Sequence, residues 1–83
     1  MKVKVTKKES GVVPVPIYTA FIKLQDAMKL ANIVYSGGEA KQLILEEQVA
    51  VNGEICTMRG KKLYPGDVFT FDGQKYQIVK NEN

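Results

Sequence analysis

Apolar residues recur along this chain with two periods, near 3.6 residues through its middle and near 2 toward its ends. From Ile22 to Val34 the apolar positions Leu24, Ala27, Met28 and Ala31 fall at i, i+3, i+4 and i+7, which predicts a helix with one buried face and leaves Lys23 and Lys29 off that stripe. A second helix is predicted from about Gly37 to Glu46 or Glu47, with Ala40, Leu43, Ile44 and Glu47 on one side. Ser36 and Glu39 stand ahead of it at the spacing of a capping box. The serine oxygen accepts from the amide three residues on, and the glutamate reaches back to the serine amide.

The period of 2 predicts the sheet. "VAVNGEIC" alternates about Asn52-Gly53, and "VFTFDGQKYQIV" about Asp72-Gly73; both dipeptides favour a two-residue hairpin turn in which the central residues take positive φ. The second hairpin puts Phe69, Phe71, Tyr76 and Ile78 on one face and Thr70, Lys75 and Gln77 on the other, so the aromatic face is the expected core. "KVKVT" near the start reads as a short strand. In "VVPVPIY", Pro14 and Pro16 forbid a helix interior and a central strand, which predicts an extended connector across the surface, with helical character beginning near Thr19. The expected fold is α+β, two short packed helices against a small, mostly antiparallel sheet. Residues 1–18 form an N-terminal strand and proline-containing connector, and residues 19–83 form the helix-and-sheet domain.

Composition narrows the chemistry. Eighty-three residues with 45% apolar and 25% charged content make one small domain with a single core. No apolar run approaches 18 residues, and the lysine-rich start leads into no apolar signal segment, so the protein is expected to be cytoplasmic and without a membrane partner. Cys56 is the sole cysteine and there is no histidine, which argues against an internal disulfide, a zinc site and a Cys/His catalytic pair. Asp26, Asp67 and Asp72 each have a structural explanation in a helix start or a turn. No catalytic residue, metal, cofactor or small-molecule substrate is expected.

The net charge of +3 is a mild basic bias, and its distribution carries more than its total. "MRGKK" sets Arg59, Lys61 and Lys62 within four residues with no acid between them. Alone, this is either a solvated charge run or a loop that neutralises adjacent phosphates. Lys23 and Lys29 on the exposed side of the first helix and Lys41 in the second would extend it to one six-cation face if the helices pack beside the loop. "SGGEAKQ" is not a nucleotide-binding loop of the Gly-Lys-Ser/Thr type. Its glycines fit either a close approach of phosphate or a close crossing of the first helix. Most aromatic residues occupy core positions; Tyr35 and Tyr64 do not.

From Ile22 to about Val51 the chain resembles the RNA-binding domain family named after the fourth protein of the small ribosomal subunit, the S4 domain. The residues that carry the resemblance are Leu24, Ser36, Ala40, Ile44, Val49, Val51, Asn52 and Gly53, and "YPGDVFTFDG" extends it to about residue 71. The chain departs from the family at Gly37, where an arginine is common, and at Glu47, where the second helix often ends in glycine. A small stand-alone subgroup, with Ser-Gly-x-x-Ala-Lys at this helix and a basic run after the hairpin, is more similar. The resemblance implies an RNA-binding protein, with no enzymatic activity, that contacts structured RNA (ribosomal or transfer RNA, with the ribosome as a setting) through the helical pair and adjoining loop; with the charge pattern, the expected footprint is Lys23, Lys29, Lys41, Arg59, Lys61 and Lys62. Glu47 then implies either a left-handed non-glycine residue or a helix that ends differently. Two alternatives carry less: a protein-docking module using the proline connector and an exposed sheet edge, and a sulfur carrier, which would want a Gly-Gly tail where this chain reads "KNEN".

Overall fold

The computed structural model describes residues 11–81. The strand expected at residues 2–6 lies outside them. The elements run β1 (Val12–Ile17), β2 (Ile22–Lys23), α1 (Leu24–Leu30), α2 (Gly37–Leu45), β3 (Val49–Val51), β4 (Glu54–Ile55), β5 (Lys62–Leu63), β6 (Val68–Phe71) and β7 (Gln74–Lys80). A five-stranded sheet has the order β1-β7-β6-β3-β4, and β2 pairs with β5 in a separate two-stranded ribbon. Only the β1–β7 pairing in the larger sheet is parallel; β7–β6, β6–β3 and β3–β4 are antiparallel, so the fold is α+β as expected.

Both hairpins form where the turn chemistry puts them. Asn52 and Gly53 have φ of 50° and 90°, and Asp72 and Gly73 have 53° and 79°, the left-handed pairs that match a two-residue turn to the strand twist. Cross-strand partners Phe69 and Tyr76 stack with ring centroids 5.0 Å apart. Phe69 and Ile78 are fully buried, while Phe71 and Tyr76 are partly buried at the margin of the core. One hydrophobic cluster joins these strands to Leu24, Ala27 and Met28 of α1 and to Ala40 and Ile44 of α2.

The segment expected to be a connector is instead an edge strand. Val12–Ile17 pairs in parallel with Lys75–Lys80, and Val15 and Ile17 are buried in the core. The prolines permit this because of their register. The Ile17 carbonyl accepts the Asn81 amide at 2.8 Å, so the backbone groups of the odd-numbered residues face β7. Pro14 and Pro16 then face away from β7, toward the edge of the sheet formed by the described residues, where a missing N–H costs none of its hydrogen bonds.

The first helix is shorter than expected. Helical character does not begin near Thr19, because Ile22 and Lys23 pair with Leu63 and Lys62, and the helix stops at Leu30 rather than Val34. Asn32 at φ 63° ends it: its amide bonds Lys29 O at 3.0 Å and the Ile33 amide bonds Met28 O at 3.0 Å. The second helix ends by the same device. Glu47 sits at φ 62°, with its amide on Ile44 O at 3.0 Å and the Gln48 amide on Leu43 O at 3.1 Å. Of the two endings that Glu47 allowed, the chain takes the strained left-handed one. Glu47 is exposed and does not join the buried stripe. Replacing Glu47 with glycine removes a Cβ clash of order 1 kcal/mol, partly offset by the greater freedom of glycine in the unfolded chain. Glu47→Gly is therefore expected to raise stability by about 0.5–1 kcal/mol, read as a melting temperature a few degrees higher.

Candidate nucleic-acid interface

The first helix has no side-chain cap at its start, since Lys23 occupies the N-cap position and offers no acceptor. The basic loop supplies one from a distance. The Leu24 amide donates to Lys61 O at 2.8 Å and the Gln25 amide to Arg59 O at 3.1 Å, which satisfies two of the orphan donors of α1. The loop itself is closed by the Lys61 amide on Met58 O at 3.1 Å. Its carbonyls point in at the helix, and Arg59, Lys61 and Lys62 are exposed. Antiparallel pairing of β2 with β5 sets Lys23 opposite Lys62. Lys23, Arg59, Lys61 and Lys62 are thus gathered about the N-terminus of α1.

The other two cations stand differently. Gly37, the first residue of α2, faces Gln25 in the first turn of α1, and Lys41 lies one turn farther along on that side of the helix. Lys41 is exposed, one turn along α2 from the residue that faces Gln25. Lys29 is six residues beyond Lys23, about 9 Å along the helix rise, and pairs with Asp26 at 3.4 Å. It does not join the gathered four. Among the described residues Lys29–Asp26 is the sole ion pair, so Lys23, Lys41, Arg59 and Lys61 keep their charges uncompensated by any described carboxylate. Lys62 places Nζ 4.9 Å from the centroid of the Phe21 ring.

Ser36 and Glu39 cap α2, with one change of partner. Ser36 Oγ accepts the Glu39 amide at 3.2 Å, but Glu39 Oε1 accepts the amide of Tyr35 at 2.6 Å rather than that of Ser36. Ser36 is extended at φ −145°, and the carboxylate reaches one residue past it. The two glycines are not explained by close helix crossing. A Cβ at Gly37 would lie 3.8 Å from Gln25 Oε1, and one at Gly38 would lie 3.8 Å from Ser36 Oγ, both ordinary contacts. Neither glycine has positive φ.

The far end of the ribbon is held by a polar brace. Asp67 Oδ2 accepts the Tyr64 amide at 2.8 Å, Asp67 Oδ1 accepts from Asn52 Nδ2 at 3.2 Å, and Asn52 Oδ1 accepts the Val68 amide at 3.0 Å. Asn52 and Asp67 therefore tie the β3–β4 turn to the segment between β5 and β6, a structural duty. Tyr64 follows β5 directly, and its ring lies 5.8 Å from that of Phe21. Phe21 was not singled out by sequence, because a ribbon of two residues per strand leaves no periodicity to read. Burial, with a smaller contribution from Asp72, pushes the Tyr76 phenol above its ordinary value of 10.0, so it is a neutral hydroxyl at physiological pH.

Comparison with known proteins gives a consistent picture. The S4 domain profile matches residues 15–79, from within β1 to within β7. A Bacillus subtilis protein named "Probable ribosome maturation protein RlbA" is 43% identical over 67 residues, 80% of this chain and 94% of that protein. YbcJ of Escherichia coli is 36% identical over 58 residues, 70% of this chain and 83% of that protein. The solution structure of YbcJ, described as revealing an αL motif involved in RNA binding, superimposes with a TM-score of 0.65 and 29% identity over 95% of this chain and 96% of YbcJ.

The absence of a close contact at Gly37 yields a direct expectation. Gly37→Arg should fold with stability within about 1 kcal/mol of the wild type in urea denaturation, because the new Cβ meets no backbone and arginine is the better helix former. A loss well beyond that would restore a packing role to the glycine.

Proposed function

Because this chain belongs to the S4 domain family, we propose that it binds structured RNA through the phosphates that its loop-capped helix and basic ribbon can reach. The observation that carries the reading is the pair of hydrogen bonds from the Leu24 and Gln25 amides to Lys61 O and Arg59 O. They fix the loop backbone against α1 and leave its side chains free for an anion. Lys23, Arg59, Lys61 and Lys62 form the centre of the footprint and Lys41 its extension along α2. Lys29, held by Asp26, contributes least.

Structured RNA fits better than an unstructured strand because the cations are fixed by two helices and a ribbon. Such a surface reads the spacing of phosphates in a folded backbone. Ribosomal RNA is the favoured target over transfer RNA, on the strength of the ribosome maturation name of the Bacillus subtilis relative. The setting is then the cytoplasm, and no helix among the described residues is long and apolar enough to cross a membrane. The role is binding without catalysis. A partner adding a strand to β1 would meet Pro14 and Pro16, which offer no donor to it, so docking on that edge has little support.

Salt titration tests the reading. Binding to a ribosomal RNA fragment should weaken linearly in log–log form as salt rises. The triple variant Arg59→Ala, Lys61→Ala, Lys62→Ala should flatten the slope by about 2, at roughly 0.7–0.9 for each phosphate no longer neutralised. An unchanged slope would take the loop out of the interface. Lys29→Ala should alter the slope much less than Lys23→Ala.

A further inference from the structure

We propose that the outer face of the β2–β5 ribbon is a nucleobase-stacking subsite. It takes an unpaired base of the bound RNA on Tyr64, whose ring rests against Phe21, with Lys23 and Lys62 toward the adjoining phosphates. The inference rests on the RNA-binding reading above and narrows it to RNA with an unpaired nucleotide beside a helical stem.

The register builds the site. Ile22 pairs with Leu63 and Lys23 with Lys62, so one step outward sets Phe21 opposite Tyr64. Alternation along a strand then separates the ribbon into two faces. Leu63 is fully buried and Ile22 packs against the core on the inner face. Phe21, Lys23, Lys62 and Tyr64 share the outer one. The backbone positions of Phe21 and Tyr64 therefore lie two residues along from those of Lys23 and Lys62, about 7 Å at the rise of a strand, within reach of a base and its own phosphate.

The aromatic end is exposed and ordered at once. Tyr64 is 49% exposed, yet its ring rests 5.8 Å from Phe21 with planes at 49°, and its amide is anchored on Asp67. Lys62 Nζ lies over the Phe21 ring at 4.9 Å, which covers that ring with a charge and leaves Tyr64 as the stacking surface. A platform ordered before binding loses little freedom when a base stacks on it. Tyr18 and Tyr35 are more exposed, at 75% and 93%, but no ring or cation among the described residues packs against either. Exposure alone does not single out Tyr64; its company on the ribbon does.

The test uses two RNA hairpins of equal length, one fully paired and one carrying a single bulged 2-aminopurine. The wild type should bind the bulged hairpin roughly 5- to 150-fold more tightly, the range expected for stacking one base on an aromatic side chain, and should quench the 2-aminopurine fluorescence on binding. Tyr64→Leu should abolish both the preference and the quenching while leaving affinity for the paired hairpin within about twofold. Tyr64→Phe should retain both. The quenching by wild type needs no variant and so stands even if Tyr64→Leu fails to fold. Equal, salt-dependent binding of both hairpins without quenching, or a preference that survives Tyr64→Leu, would overturn the subsite and leave phosphate binding intact. Binding to neither hairpin would overturn both readings together.

Discussion

Two backbone hydrogen bonds, from the first amides of α1 to the carbonyls of Arg59 and Lys61, fix the relation between everything else on the basic face. A helix that begins at a lysine has orphan donors and no side chain to satisfy them. The basic loop resolves this with its main chain, and in doing so it must turn its carbonyls inward. Its cationic side chains are thereby left outward, gathered beside Lys23. The cost is like-charge repulsion among neighbouring cations, screened by water and salt at the surface. A polyanion at this face would relieve that repulsion.

The sheet supports this arrangement from behind. Asn52 and Asp67 join the turn of the first hairpin to the segment that follows Tyr64, so one polar brace sets both the sheet and the end of the ribbon. The parallel pairing of β1 with β7 brings the first and last described strands together and buries Val15 and Ile17. The profile of the family runs from one of these strands to the other. Prolines on the outward register blunt the edge of the sheet among the described residues.

The ribbon shows how one short element serves two ends. Its inner residues, Ile22 and Leu63, belong to the core and fix its position; its outer residues are thereby held in a set order of ring and charge. The family resemblance pointed to cations and said nothing of this aromatic pair. Gly37 has a corresponding freedom. Neither φ nor packing requires glycine there, since an added Cβ would make only an ordinary contact with Gln25 Oε1.

The chain by itself determined what depends on neighbours in sequence. Helical period placed the buried stripe of Leu24, Ala27 and Met28, serine placed the start of α2, and the Asn-Gly and Asp-Gly pairs placed both hairpins, because each is decided within a few residues by dihedral preference and local hydrogen bonds. Only the tertiary structure decided what depends on residues far apart. Whether a proline segment is a connector or an edge strand turns on which side its partner lies. Whether the first helix starts at Thr19 or Leu24 turns on a ribbon between residues some forty positions apart and on carbonyls from the same distant loop. Likewise, the six cations were visible as residues, but their division into a gathered four, a neighbour at Lys41 and a paired Lys29 came from packing, since charge has no periodicity that records where its counterpart will fold.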